Sequence, residues 1–213
     1  TVWFRYSPKR LARRTSVYMS RLKLMNEALE HLLANDPVIA RLINDYPVPT
    51  LKKHGNYYQE LVDSIISQQL SVKAARAIEG RFKDLFDGRF PEPEEILTKD
   101  VEELRAIGFS RPKARYVQDL AQKIIDGEVT FEGIDELSND EIIAELTKVK
   151  GIGEWTVHMF LMFCMGRLNV LPVGDLGIRN GITKLYEFET TATPDDVRDV
   201  AEKNNWRPYE SVA

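Results

Sequence analysis

Cysteine and histidine are nearly missing from this sequence. With Cys164 as the one thiol, no disulfide can form within it, and neither can a four-cysteine zinc or iron–sulfur site. His31, His54 and His158 have no spacing that suggests a metal centre, so no metal and no cofactor is expected. Cys164 lies in the apolar run FLMFCM and reads as a small buried hydrophobe in a reducing, intracellular setting. Long apolar runs are also missing. No uncharged stretch approaches the roughly 18 residues of a membrane span, and no signal-peptide pattern is read at the start, so no membrane partner is expected. An excess of positive charge is lacking too. A formal net charge of −4 gives no attraction of the whole molecule to nucleic acid, so any such binding needs a local device. Strand signals are nearly absent.

What is present is helix after helix. The 213 residues, 43% of them hydrophobic, suffice for one large domain or two small ones. The first 18, TVWFRYSPKRLARRTSVY, are basic and lack clear helical periodicity, whereas a regular pattern begins at Met19. They read as an N-terminal extension: a nucleic-acid-binding arm, a targeting segment, or sequence upstream of the true start. From there MNEALEHLLANDPVIARLI and LVDSIISQQLSVKAARAIEGRFKDLF carry apolar residues at three- and four-residue spacing. DVEELRAI is closed by Gly108 and RPKARYVQDLAQKIID by Gly127. Ser138 with Glu141 forms a capping box ahead of EIIAELTKV, and Thr193, Pro194 and Asp196 make a comparable start for DDVRDVAEKN. The expected fold is all-α, with about ten helices and short connections. LRAIGFSRPKARYV and LTKVKGIGEWTVHM share one plan of helix, glycine turn, helix.

The turn in VKGIGEWTVHMF has chemical consequences. Between two helices, Gly151 and Gly153 expose backbone N–H groups with no side chain in the way, and the next helix begins at once with its positive dipole end. Such a turn either joins two helices tightly or binds an anion, and a phosphodiester is the obvious one. A backbone seat for phosphate needs no net positive charge, so the acidic balance is no objection.

VKGIGEWT after a capped amphipathic helix matches the helix-hairpin-helix motif, and VLPVGDLGIRNGI resembles the segment carrying the catalytic aspartate of helix-hairpin-helix DNA glycosylases. Asp175 follows Gly153 by 22 residues, the interval this resemblance leads one to expect. SIISQQLSVKAA resembles the segment from which that family inserts a side chain into DNA, and GFSRPKARYVQDLA and NNWRPYESVA resemble two further family segments. The sequence from about residue 25 onward is most similar to the alkylpurine branch, the 3-methyladenine DNA glycosylase II family.

The resemblance implies a monofunctional hydrolase that acts as a monomer on double-stranded DNA with alkylated bases, inside the cell, in the cytoplasm or nucleoid, or in the nucleus if the source is eukaryotic. Asp175 would be its catalytic carboxylate, a role compatible with capping the helix LGIRNGITKLY. Relatives that also cleave the strand place a lysine where this chain has Trp155, and an indole cannot form their Schiff base. Trp155 and Tyr209 would flank the flipped base, with Met159 and Tyr58 beside them; Trp206 reads better as core. Gln69 would fill the gap left in the duplex, with Gln68 and Ser71 near the minor groove or backbone. Ser110, Arg111 and Lys113 in the second glycine turn, and Lys150, Gly151, Gly153 and Thr156 in the first, would contact phosphates. Two helical lobes with a cleft between them are implied: residues 50–167 form the hairpin lobe, and 19–49 join 168–213 in the other. The chain stops at ESVA, where the resemblance leads one to expect another helix. A non-catalytic DNA-binding module would need the turn but not Asp175, and a lyase for oxidised bases would need the missing lysine.

Overall fold

The computed structural model describes residues 8–48 and 55–213, with side chains from residue 22 onward. These residues fall into two compact units, one within Leu51–Pro172 and the other within Thr1–Thr50 and Val173–Ala213. Among the described residues there are eleven α-helices and no strand. No helix among them is long and apolar enough to cross a membrane.

In the second of these units α1 spans Pro8–Asn35, α2 Pro37–Asp45, α10 Leu176–Leu185 and α11 Pro194–Lys203. Of the expected N-terminal extension, residues 1–7 lie outside the described residues, as does His54, and the remainder belongs to α1. The run KRLARR has no apolar stripe, but leucine, alanine, lysine and arginine are strong helix formers and the hydrogen-bond ladder propagates through them. Asp36 ends α1 and starts α2. Its Oδ1 accepts from Val38 N at 2.8 Å and Ile39 N at 3.1 Å, while Oδ2 accepts from Trp206 Nε1 at 2.7 Å and from the Tyr186 hydroxyl. A carboxylate only 1% exposed is tolerable because four donors surround it. Trp206, 3% exposed, is thus a core residue, as expected.

The hairpin unit contains α3 (Tyr57–Ser67), α4 (Val72–Asp84), α5 (Pro93–Leu97), α6 (Val101–Ala106), α7 (Arg111–Ile125), α8 (Asn139–Leu146) and α9 (Glu154–Met159). A π-helical turn, Phe160–Cys164, prolongs α9. Its core forms where α3 turns Leu61, Val62, Ile65 and Ile66, none of them exposed, towards the rest of the unit. Burying each such side chain contributes about 1.5 to 3 kcal/mol. Phe82 of α4 stacks on Phe109 at 5.5 Å and meets Phe86 edge-on at 5.4 Å. The unit ends five residues later than residue 167, at Pro172. Asn169 and Val170 explain the difference, since Asn139 Nδ2 of α8 donates to Asn169 O at 2.9 Å and Val170 is buried in the core of this unit.

Candidate functional site

The glycine turn after α8 is a type II turn. Ile152 N donates to Val149 O at 3.1 Å, and Gly151 at the third position has φ +80°, open to glycine without strain. A Cβ there would lie 2.1 Å from the Tyr116 ring of α7, so Gly151 is required by packing as well as by conformation. Asp119, also on α7, holds the turn from behind by accepting from Lys150 N at 2.9 Å, with Lys150 Nζ 3.0 Å from its other oxygen. Gly153 differs in kind. With φ −97° it is ordinary extended backbone, and nothing lies within 4 Å of where its Cβ would sit. It is the N-cap of α9 and supplies no side-chain cap to that helix. An open N-terminus of this kind suits an anion.

A second turn faces the first. The hydrophobic pattern of residues 61–86 runs on without a break, yet α3 stops at Ser67 and α4 starts at Val72. Between them Gln69 is left-handed, with φ +56°, a conformation that costs a non-glycine residue about 1 to 2 kcal/mol. Gln68 directs its side-chain amide to Gly151 O at 2.9 Å and so ties the two turns together rather than reaching outward. Lys113 also departs from expectation: its Nζ donates to Ile66 O at 2.8 Å and Gln68 O at 2.6 Å, the carbonyls at the end of α3. Burial holds this lysine below its ordinary pKa. Ser71 and Ser110 cap α4 and α7, accepting from Ala74 N at 3.3 Å and Lys113 N at 3.4 Å.

Between these turns lies a cavity of about 760 Å³, lined by Gln68, Gln69, Ser110, Lys113, Trp155, Thr156 and Met159. Trp155 is 51% exposed, a large apolar surface left open at a cavity mouth. Ser64, Ser67 and Tyr116 line it too and were not anticipated. A bulky neighbour behind Gly151 could have been inferred from the glycine, but the sequence does not identify which residue it is. Tyr58 does not join this cavity. It is buried in the core against Phe90, with rings 5.5 Å apart, because it shares the inward face of α3 with Leu61, Val62 and Ile65. Arg111 is paired with Glu102 at 2.8 Å on the surface. A smaller cavity of about 340 Å³ shares Ser64, Ser67 and Met159 with the first and is lined by Glu60, Asp63 and Glu79. Burial, and then Glu79, raise the Asp63 carboxyl to about 6. Among the described residues no group of three His, Cys, Asp or Glu side chains could hold a metal ion.

In the other unit Asp175 is the N-cap of α10, its Oδ1 accepting from Ile178 N at 2.9 Å. Tyr209 is half-buried and meets His31 edge-on, with ring centroids 5.2 Å apart.

An all-α chain with a glycine turn joining two helices beside a cavity and an exposed tryptophan is a helix-hairpin-helix protein. Residues 62–207 match the family model described as "HhH-GPD superfamily base excision DNA repair protein". The DNA-3-methyladenine glycosylase 1 of Schizosaccharomyces pombe is 41% identical over 157 residues, 73% of this chain and 69% of that protein. A solved structure of the S. pombe 3-methyladenine DNA glycosylase with abasic DNA has a TM-score of 0.75 at 38% identity, covering 87% of this chain and 92% of that one. A DNA-3-methyladenine glycosidase from Bacillus halodurans gives 0.78 at 34% identity, covering 87% and 84%. The chain belongs to the HhH-GPD superfamily of base excision DNA repair proteins.

Proposed function

We propose that this chain is a DNA glycosylase of the 3-methyladenine glycosylase II type, releasing alkylated purines from duplex DNA without cutting the strand. The observation that carries the reading is the cavity lined by the left-handed Gln69, by Ser110 and Lys113 at the start of α7, and by the exposed Trp155 and Thr156 just after the glycine turn, in a chain so similar to 3-methyladenine glycosylases. Phosphate would seat at Gly153, the damaged nucleotide would leave the stack, and Gln69 would occupy the space it vacates. An electron-rich indole suits a cationic purine. Ser110 and Thr156, at the cavity wall, would offer hydroxyls to the backbone.

The chemistry needs little acid. As water oxygen bonds to the sugar C1′, the C1′–N bond breaks and its electron pair leaves with the purine, cancelling the positive charge that alkylation placed there. The water passes its proton to the Asp175 carboxylate, which gives it up to solvent. The sugar passes through an oxocarbenium-like state, and the charge on Asp175 would stabilise it. With Trp155 where strand-cleaving relatives have their lysine, no amine attacks C1′ and an abasic site is the product.

Asp175→Asn tests this. The amide oxygen can still cap α10 at Ile178 N, so binding of damaged DNA should persist. Single-turnover release of 7-methylguanine or 3-methyladenine should fall by about 10² to 10³, or about 3 to 4 kcal/mol. A variant that melts slightly lower but excises at the normal rate would reduce Asp175 to a cap.

A further inference from the structure

Gln69 stands in a conformation that glycine would adopt more cheaply, and something must hold it there. At a helix end the last carbonyls lack intrahelical donors, and a left-handed residue after the cap usually satisfies them through backbone N–H groups. Here Gln68 is the cap of α3 and Leu70 N donates to Ser67 O at 3.1 Å, which leaves Ile66 O and Gln68 O on either side of that bond. Both are met by one ammonium group, Lys113 Nζ, at 2.8 and 2.6 Å. Lys113 stands three residues past Ser110, in the first turn of α7. The Gln68 side chain adds a third tie, to Gly151 O at 2.9 Å. Two carbonyls and one side chain thus fix the residues that lead into Gln69, and the Leu70 N bond to Ser67 O closes the turn after it.

We propose that Lys113 is a positioning residue for strand insertion: it clamps the end of α3 so that Gln69 stays left-handed and its side chain is presented to the duplex. The proposal rests on the glycosylase reading. A cation among predicted phosphate contacts would ordinarily be assigned to the DNA backbone, but both hydrogen bonds that this one donates go to its own chain.

The two roles give different signatures. Lys113→Met keeps the aliphatic stem and removes every donor. Acting through Gln69, it should lower single-turnover excision from alkylated duplex about tenfold. In a Gln69→Ala background it should cost less than twofold, because the residue it positions is already gone. The salt dependence of binding to undamaged duplex should be unchanged, whereas loss of a phosphate contact reduces the slope of log K against log salt by about 0.9. Equal losses in both backgrounds, or a shallower salt slope, would overturn the proposal. Should the methionine variant not fold, Lys113→Leu, which likewise removes every donor, takes its place in the same cycle with the same criteria. Failure of the wild-type chain to release any base would instead strike the glycosylase reading, and the salt slope would still decide whether Lys113 touches phosphate.

Discussion

Replacing Gly151 and Gly153 one at a time by alanine separates two demands that a three-residue turn combines. At Gly151 the methyl group meets two obstacles. A φ of +80° costs a non-glycine residue about 1 to 2 kcal/mol. The Cβ would also lie 2.1 Å from the Tyr116 ring, and such overpacking typically costs about 1 to 3 kcal/mol. Gly151→Ala should therefore destabilise by about 2 to 5 kcal/mol, a large share of the roughly 5 to 15 kcal/mol that holds a typical protein folded. At Gly153 neither obstacle exists, and only the weaker N-cap preference of alanine remains, within about 1 kcal/mol. If a phosphate seats against that open backbone, however, the methyl group displaces it, and Gly153→Ala should weaken DNA binding about tenfold or more, about 1.4 kcal/mol. Urea unfolding reports the first quantity and fluorescence anisotropy with a labelled duplex the second. A well-folded Gly153→Ala that binds like the wild type would refute the phosphate seat, and a fully stable Gly151→Ala would refute the packing account.

Incubation with alkylated DNA should give abasic sites that break only on later alkali treatment, and borohydride should trap no covalent complex; a trapped adduct would show a lyase. Asp63→Asn should stabilise the protein at neutral pH. The folded-state carboxyl, at about 6, binds its proton more tightly than the unfolded one near 4, so its contribution is lost as pH rises between these values. Allowing for solvent screening, the gain is about 1 to 2 kcal/mol at pH 7 and absent at pH 3, and urea unfolding at both values checks the sign. Asp36→Ala should cost about 3 kcal/mol or more, since the Trp206 indole N–H and the Tyr186 hydroxyl lose their shared acceptor; a loss under 1 kcal/mol would disprove it.

Local rules were readable in the sequence and tertiary ones were not. The capping boxes Ser138/Glu141 and Thr193/Asp196 depend on residues three apart, and both are present. The positive φ of Gly108 and Gly127 follows from the same local logic. By contrast the break at Gln69 is invisible to periodicity, because its apolar neighbours continue the helical pattern while Lys113, 45 residues beyond Gln68, imposes the turn. The places of Gln68 and Lys113 in the chain suggest DNA contacts. Gln68 Nε2 and Lys113 Nζ instead donate to backbone carbonyls, which only the folded chain brings near. The resemblance places Tyr58 beside the base, whereas its register with Leu61, Val62 and Ile65 points it into the core. Residues 8–18 form helix through intrinsic propensity, a signal that a search for amphipathic stripes passes over.

Asp36 has a further consequence, in time rather than in energy. Its partners Tyr186 and Trp206 come 150 and 170 residues later in the chain. At about 5 to 20 residues per second, a ribosome releases Trp206 roughly 10 to 30 seconds after Asp36. Within that interval the whole of 51–172 emerges and can close a core of its own. Asp36 therefore waits for its last two donors until the whole of 51–172 has been made, and until then α2 is capped by a carboxylate with only the Val38 and Ile39 N–H groups to hold it.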